Sequence, residues 1–198
     1  MRVIERSLQP HRGPSSSSLT RLPRRARREL AWMIRRWPRF KDAHRYRSRR
    51  AEICAAVSAQ LGAGEFIIIG HSLGSVVAAD LLTRMRDDQH VRLLITVGSP
   101  LGVGDWSATW RTLKPFPFDR IDAWVNVFNV IDAVTGGVGL RTRTRYVVDL
   151  PIRFGRWRGV DKPGLLRNHR IGGYMEHPAV ALAVAWAHGS EDPNRQSR

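Results

Sequence analysis

The chain has 198 residues, 42% of them hydrophobic, and a formal net charge of +16. This length predicts one compact domain with a sizeable core. Cys54 is the sole cysteine, which excludes an intramolecular disulfide, and no apolar run approaches the roughly 18 residues that a membrane span needs. Because no continuous apolar segment follows the N-terminal arginines, we expect no secretory signal and predict a cytoplasmic protein.

The positive charge is concentrated near the N-terminus. Residues 1–50 carry a net charge of +13 and the other 148 residues +3. We predict a basic, partly disordered arm over 1–47, with a helix near 24–40, and a folded domain over 48–198. A disordered leader with a docked helix is the first interpretation, contact with an anionic membrane surface the second, and nucleic-acid binding the least favoured. A GC-rich genome would produce the same excess of arginine.

Beyond the arm, the patterns of helices and strands alternate. Helical periodicity is found over 49–61, 75–86 and 178–188. Strand patterns are found over 66–69, 91–97, 124–130 and 144–150, and long loops are expected at 103–120 and 151–176. Strands that are separated by helices or long crossovers predict an α/β fold with a mostly parallel sheet and flanking helices.

The most specific pattern is the segment 66–74, which reads Phe-Ile-Ile-Ile-Gly-His-Ser-Leu-Gly. A β-branched strand runs into Gly70-x-Ser72-x-Gly74 and a helical pattern follows, which is the context of a nucleophile elbow. We expect glycine at 70 and 74 because such a turn brings strand and helix too close for a Cβ atom. The pattern predicts Ser72 as a nucleophile and the backbone amide of Leu73 as an oxyanion donor. Its alternative is a glycine-softened turn before a helix.

The carboxyl ends of the predicted strands supply partners for this serine. In an open parallel sheet, reactive groups gather at that edge. Asp132 follows the third strand, and His169 and His177 follow the fourth. A base and a carboxylate are the groups that activate a serine hydroxyl. Asp132 could instead cap the turn after its strand. His177 could cap a helix that begins at Pro178, so we favour His169 as base and keep His177 as the alternative.

Other polar residues near these positions have ordinary structural interpretations. We expect packing roles for His71 and Cys54 and a turn role for Ser99. The weaker candidates for the acid are Asp105, Asp122 and Asp149.

From about Arg49 to His188 the chain resembles the lipase/esterase-like branch of the α/β-hydrolase superfamily. The segments that carry the resemblance are Ile69–Ser75, Thr96–Leu101, Trp124–Asn126 with Asp132–Val134, and Asn168-His169 followed by Tyr174. The resemblance implies an α/β-hydrolase-like fold with Ser72 as nucleophile, Asp132 as acid and His169 as base.

Upstream of Ser72 the chain departs from this pattern. The superfamily places several strands and a second oxyanion-donating loop before the elbow. Residues 1–50 contain no convincing strand pattern. We therefore expect an N-terminally shortened sheet and the lack of one oxyanion donor. The strand at 66–69 is expected to form an exposed sheet edge unless the 24–40 helix or another chain covers it.

These features predict a serine hydrolase of carboxylic esters that works through an acyl-Ser72 intermediate. A lipid-like substrate is suggested by an apolar loop that contains Trp106, Trp110, Phe116 and Phe118. No spacing fits a zinc site and no glycine-rich phosphate loop is present, so we expect neither metal nor cofactor. The alternative is a catalytically impaired or truncated hydrolase-like module that binds a partner.

Overall fold

The computed structural model describes residues 38–103, 106–155 and 168–189. Most of the predicted basic arm, including residues 24–37 of its expected helix, lies outside these ranges. The domain boundary at residue 47 therefore stays a prediction.

The centre of the fold is a four-stranded sheet in which all neighbouring strands are parallel. Its strands are β1 (Gly64–His71), β2 (Gln89–Val97), β3 (Ile121–Asn129) and β4 (Val148–Ile152), and their order in the sheet is β1-β2-β3-β4. Parallel strands place all their carboxyl ends at one edge of the sheet. The predicted α/β fold with a parallel sheet is confirmed.

Helices cover both faces of this sheet, as predicted. The α-helices of the described ranges are α1 (Pro38–Ser48), α2 (Arg50–Ser58), α3 (Leu73–Leu81), α4 (Ser107–Thr112), α5 (Ile171–Met175) and α6 (Pro178–Gly189). Short 3-10 helices span Leu82–Arg84 and Pro100–Gly102.

The central strand β2 is buried on both faces. Leu94 packs into one cluster with residues of α1, α2 and α3, whereas Leu93, Ile95 and Val97 pack into a second cluster with residues of α5 and α6. A strand that is covered on both sides needs apolar residues on both faces, which explains why five of the seven residues at 91–97 are apolar. Within the described part of the chain, β1 lies at the edge of the sheet, and Ile69 is 39% exposed.

The fourth strand begins later than predicted. The pattern favoured a strand over 144–150, but residues 144–147 lie outside the strand, with a turn at 145–146, and the strand spans Val148–Ile152. The amide of Thr144 donates to the carbonyl oxygen of Leu140 (3.1 Å), and the Asp149 carboxylate accepts from the amides of Leu140 and Arg141 (2.9 and 2.8 Å). These bonds hold the chain in a loop that the alternation of side chains does not reveal.

Helix α1 is fastened to the elbow helix through a buried carboxylate. Tyr46 is 2% exposed and donates its phenolic hydrogen to Asp80 of α3, which is fully buried. The guanidinium of Arg50 forms a two-point ion pair with the same carboxylate, in which Nε lies 2.5 Å from Oδ2. Cys54 is also fully buried beside the Tyr46 hydroxyl (3.4 Å), which confirms its packing role.

None of the helices in the described ranges is long and apolar enough to cross a membrane.

Candidate active site

The turn between β1 and α3 holds Ser72 in a strained conformation. Strand β1 ends at His71 and α3 begins at Leu73, so Ser72 alone connects them. Its backbone angles are φ 54° and ψ −126°, and among the described residues it is the single non-glycine with a positive φ. Such strain persists only where the surroundings enforce it, and it is frequent at functional sites. The strand–turn–helix context that the sequence predicted is present.

The two glycines that flank this serine differ in what the structure requires of them. A Cβ atom at Gly70 would lie 2.7 Å from the Ser75 Cα atom and 2.8 Å from the Gly74 carbonyl oxygen, so only glycine fits there. A Cβ atom at Gly74 would meet nothing within 4 Å. The expectation that crowding requires glycine at both positions is therefore correct for Gly70 and wrong for Gly74, because the carbonyl oxygen of Gly74 lies against the strand whereas its Cβ position faces open space.

Ser72, His169 and Asp132 meet at the carboxyl edge of the sheet. The Oγ atom of Ser72 lies 2.8 Å from Nε2 of His169, and Nδ1 of His169 lies 2.7 Å from Oδ2 of Asp132. His169 is 2% exposed and Asp132 is 1% exposed. Since a carboxylate can only accept here, Nδ1 carries a proton, and in the tautomer that this bond selects Nε2 is the acceptor for the Ser72 hydroxyl. This arrangement can take a proton from a serine and hold the resulting imidazolium.

Asp132 also stabilises the turn that follows β3. Its Oδ1 atom accepts from the amide of Val134 (2.8 Å), and its own amide donates to the carbonyl oxygen of Asn129 (3.0 Å). The turn-capping role that the sequence suggested as an alternative is thus present together with the contact to His169. One carboxylate oxygen serves the turn and the other faces the imidazole.

His177 lies at the beginning of α6 and caps this helix. Its Nδ1 atom accepts from the amide of Ala179 (3.2 Å) at the beginning of α6. This bond satisfies one of the first amide groups of the helix, which have no partner within it. The capping role proposed for His177 is confirmed, and of the two histidines the structure brings His169 to Ser72.

The residues with predicted packing or turn roles surround the site. His71 packs beside His169, with ring centroids 4.7 Å apart, and its Nε2 atom donates to the main-chain oxygen of His169 (2.9 Å). The Ser99 hydroxyl accepts from the amide of Leu101 (3.2 Å) and from the hydroxyl of Ser75 (2.7 Å).

The weaker candidates for the acid lie elsewhere in the fold. Asp122 lies 2.8 Å from Nε2 of His90, and Asp149 holds the loop before β4. Asp105 lies outside the described residues.

Two residues of the site were not given a role from sequence. The hydroxyl of Tyr174 donates to Oδ2 of Asp132 (2.6 Å), and the phenol is fully buried. Gly98 follows β2 with φ 58°, and a Cβ atom there would lie 3.0 Å from the Tyr174 ring and 3.2 Å from Cε1 of His169. The available signals were the position of Gly98 after a strand end and the spacing of Tyr174 five residues after His169, but neither spacing specifies a contact.

Burial raises the pKa of the Tyr174 phenol well above its ordinary value, and the negative charge of Asp132 raises it further. The phenol is therefore neutral at physiological pH and keeps its hydrogen for donation.

Within the described ranges, no group of three or more histidine, cysteine, aspartate or glutamate side chains is arranged to hold a metal ion.

The chain matches a family model described as alpha/beta hydrolase fold over residues 12–137. The match covers more than half of the chain and includes Ser72 and Asp132. The chain therefore belongs to the alpha/beta hydrolase fold family, as the motifs predicted, and this membership supports a hydrolase activity. Neither the curated proteins nor the solved structures provide a significant match.

Proposed function

We propose that this protein is a serine hydrolase of carboxylic esters in which Ser72 is the nucleophile, His169 the general base and Asp132 the acid that orients the base. The observation that carries the proposal is the continuous hydrogen-bonded path from Ser72 Oγ through the His169 ring to Asp132, with bonds of 2.8 and 2.7 Å. The strained backbone of Ser72 and membership of the alpha/beta hydrolase family support the same function.

The proposed reaction has two halves. Ser72 Oγ attacks the ester carbonyl carbon while its proton passes to Nε2 of His169. His169 then gives this proton to the departing alkoxide, so an alcohol leaves and the acyl group remains on Ser72. In the second half, water loses a proton to His169 and its oxygen attacks the acyl carbon. The bond between this carbon and Ser72 Oγ then breaks, His169 returns the proton to Oγ, and a carboxylic acid leaves.

The amide of Leu73 is the proposed oxyanion donor. Helix α3 begins at Leu73, so this amide is among the first N–H groups of the helix. Such groups have no partner within the helix, and the helix dipole favours negative charge at this end. Both properties suit an oxygen that becomes negative in the tetrahedral intermediate.

The aromatic loop gives less support to a lipid-like substrate than the sequence suggested. Trp106 is 7% exposed and belongs to the core, and the indole of Trp110 stacks on that of Trp124 with centroids 6.2 Å apart. Phe118 is 58% exposed, but it precedes β3 and therefore lies towards the amino ends of the strands, opposite Ser72. A series of p-nitrophenyl esters from acetate to palmitate tests this part of the proposal, because a lipid-like preference requires kcat/KM to rise with acyl length.

Fluorophosphonate labelling tests the nucleophile directly. This probe reacts with serines that a neighbouring base activates, so we expect wild type to be labelled and Ser72→Ala and His169→Ala to be unlabelled. His177→Ala is the matched histidine control, because its side chain caps α6, and it is expected to keep the label while losing about 0.5–2 kcal/mol of stability.

Circular dichroism shows whether each variant is folded. A folded wild-type chain without labelling would contradict the proposal and support the alternative of a catalytically impaired module that binds a partner. The predicted contacts of the basic arm with a membrane surface, and the predicted cytoplasmic location, remain separate predictions.

A further inference from the structure

Tyr174 connects the acid of the proposed site to the strand that precedes it. Its hydroxyl accepts from the backbone amide of Asn129, at the end of β3 (3.2 Å), and donates to Oδ2 of Asp132 (2.6 Å). The Nδ1–H group of His169 donates to the same oxygen (2.7 Å). Two donors therefore share one carboxylate oxygen, while Val134 holds the other.

The ring of Tyr174 has no room to move away from this position. Phe154 packs against it edge to face, with centroids 5.0 Å apart. Gly98 also approaches so closely that a Cβ atom there would lie 3.0 Å from the ring. Because the phenol is fully buried, the hydroxyl has no water to bind in place of Asp132.

We propose that Tyr174 is a positioning residue that fixes the Asp132 carboxylate against Nδ1 of His169 and, by sharing Oδ2, lowers the basicity of His169. This inference rests on the proposed serine hydrolase function and assigns a role to a residue outside the Ser72–His169–Asp132 path.

The first effect is geometric. The Val134 amide and the Tyr174 hydroxyl hold the two carboxylate oxygens from different directions, so the carboxylate cannot rotate away from the imidazole. A base that is held in its reactive orientation does not need to be reorganised during the reaction. Loss of one holding bond therefore lowers the rate without changing how substrate is bound.

The second effect is electrostatic. Each hydrogen bond that a carboxylate accepts stabilises its negative charge. The carboxylate then stabilises a neighbouring cation less strongly. The titratable side chains that face the His169 ring in the described structure are Asp132 from the turn after β3, His71 from the end of β1 and Tyr174 from α5, and the exposed Arg170 follows in the chain. Removing the Tyr174 hydroxyl leaves Asp132 with fewer competing donors, so the His169 imidazolium becomes more stable.

Tyr174→Phe tests both effects while it keeps the packing of the ring. We expect the NMR titration of the labelled His169 imidazole to move to higher pH than in wild type. The rate of fluorophosphonate labelling at neutral pH is expected to fall about tenfold, with its acid limb moved to higher pH. Tyr146→Phe is the matched control, because it removes a hydroxyl that accepts from Arg145 (3.1 Å) near the amino ends of the strands.

A graded variant covers the case in which Tyr174→Phe does not fold. Site-specific 3-fluorotyrosine at position 174 keeps the hydroxyl and makes it a stronger donor, and its single fluorine can occupy the Cε1 edge, because Gly98 crowds the Cε2 edge. It is expected to shift the pKa of His169 in the opposite direction, to lower values. An unchanged pKa of His169 in both variants would overturn the proposal, even if the labelling rate fell, because packing alone would then explain the loss.

The two proposals can fail separately. The NMR titration of His169 needs no turnover and no probe. If wild type is not labelled but the pKa of His169 responds to Tyr174 as expected, the hydrolase proposal fails and the positioning role stands. If wild type is labelled but the titration of His169 does not change in the Tyr174 variants, the positioning role fails and the hydrolase proposal stands.

Discussion

The imidazole of His71 donates from Nε2 to the main-chain oxygen of His169, across a distance of 2.9 Å. His71 ends β1, directly before Ser72, and His169 lies almost a hundred residues later in the chain. The bond therefore ties the loop that carries the proposed base to the elbow that carries the proposed nucleophile. The contact between the two rings, with centroids 4.7 Å apart, supports the same alignment.

His71→Ala removes this tie. We expect fluorophosphonate labelling to slow about tenfold, because His169 is no longer held beside Ser72, and the free energy of unfolding to fall by about 1 kcal/mol. Labelling kinetics and urea denaturation measure the two effects. His90→Ala is the control, since it removes a histidine bonded to Asp122 near the amino ends of the strands. Equal labelling rates for the two variants would show that the His71 bond does not align the site.

Gly70→Ala and Gly74→Ala are expected to differ in their effect on the free energy of unfolding. The Cβ atom at position 70 would press on the backbone of α3, so we expect a loss of about 2 kcal/mol or more in the free energy of unfolding. At position 74 the added methyl group meets open space within a helix, where alanine is favoured over glycine by about 0.5 kcal/mol. Chemical denaturation of both variants measures these changes in the free energy of unfolding. Equal losses of stability in the two variants would contradict the difference in crowding at the two glycines.

Arg50→Ala leaves a buried carboxylate without its ion pair. Asp80 is fully buried, whereas the Arg50 side chain is 19% exposed. Breaking such a pair from one side costs about 3 kcal/mol, because the remaining charge is desolvated. Arg49→Ala is the neighbouring control, since Arg49 pairs with Glu52 at the surface, and little change is expected. Comparable stabilities for the two variants, measured by urea denaturation, would show that Asp80 does not depend on Arg50.

The fold should lose stability in alkali because of two tyrosines. Burial, followed by the bond to Asp80, raises the pKa of Tyr46 well above its ordinary value, and burial followed by the charge of Asp132 does the same for Tyr174. Above about pH 10 the unfolded phenols lose their protons while the folded ones retain them, so the unfolded state is favoured as pH rises. Each tyrosine contributes a fall of about 1.4 kcal/mol per pH unit in the free energy of unfolding.

Urea denaturation at pH 9, 10 and 11 measures this fall. Tyr46→Phe and Tyr174→Phe should each remove about half of it, although both lower the stability at neutral pH. A free energy of unfolding that stays constant from pH 10 to pH 11 in wild type would contradict the prediction.

The elements around Ser72 could be predicted because their signals are local. Three consecutive isoleucines followed by Gly70 specify a strand and a tight turn within a few residues, and the observed strand and helix begin or end within a few positions of the expected ones. Asp132 was predicted as a candidate because it follows a strand at the edge where reactive groups gather. The choice between His169 and His177 as base needed the fold. Both histidines follow the last strand, and their positions along the chain are compatible with either one reaching Ser72.

The contacts between distant parts of the chain could not be predicted. Tyr174 reaches Asp132 across 42 positions, and Tyr46 reaches Asp80 across 34. Neither pair leaves a trace in periodicity or composition, because a single side chain determines each contact. The predicted start of β4 was wrong for the same reason. The hydrogen bonds from the amides of Leu140 and Arg141 to the Asp149 carboxylate determine where the loop ends.

Among the described residues, the order of the strands across the sheet repeats their order along the chain, and every neighbouring pair is parallel. A ribosome that releases the chain from its N-terminus therefore delivers the strands in the sequence in which they pair. Ser72 emerges directly after β1, Asp132 after β3, and His169 and Tyr174 after β4. Until His169 has emerged, the hydroxyl of Ser72 has no base beside it. The proposed chemistry therefore becomes available only after the four described strands have left the ribosome.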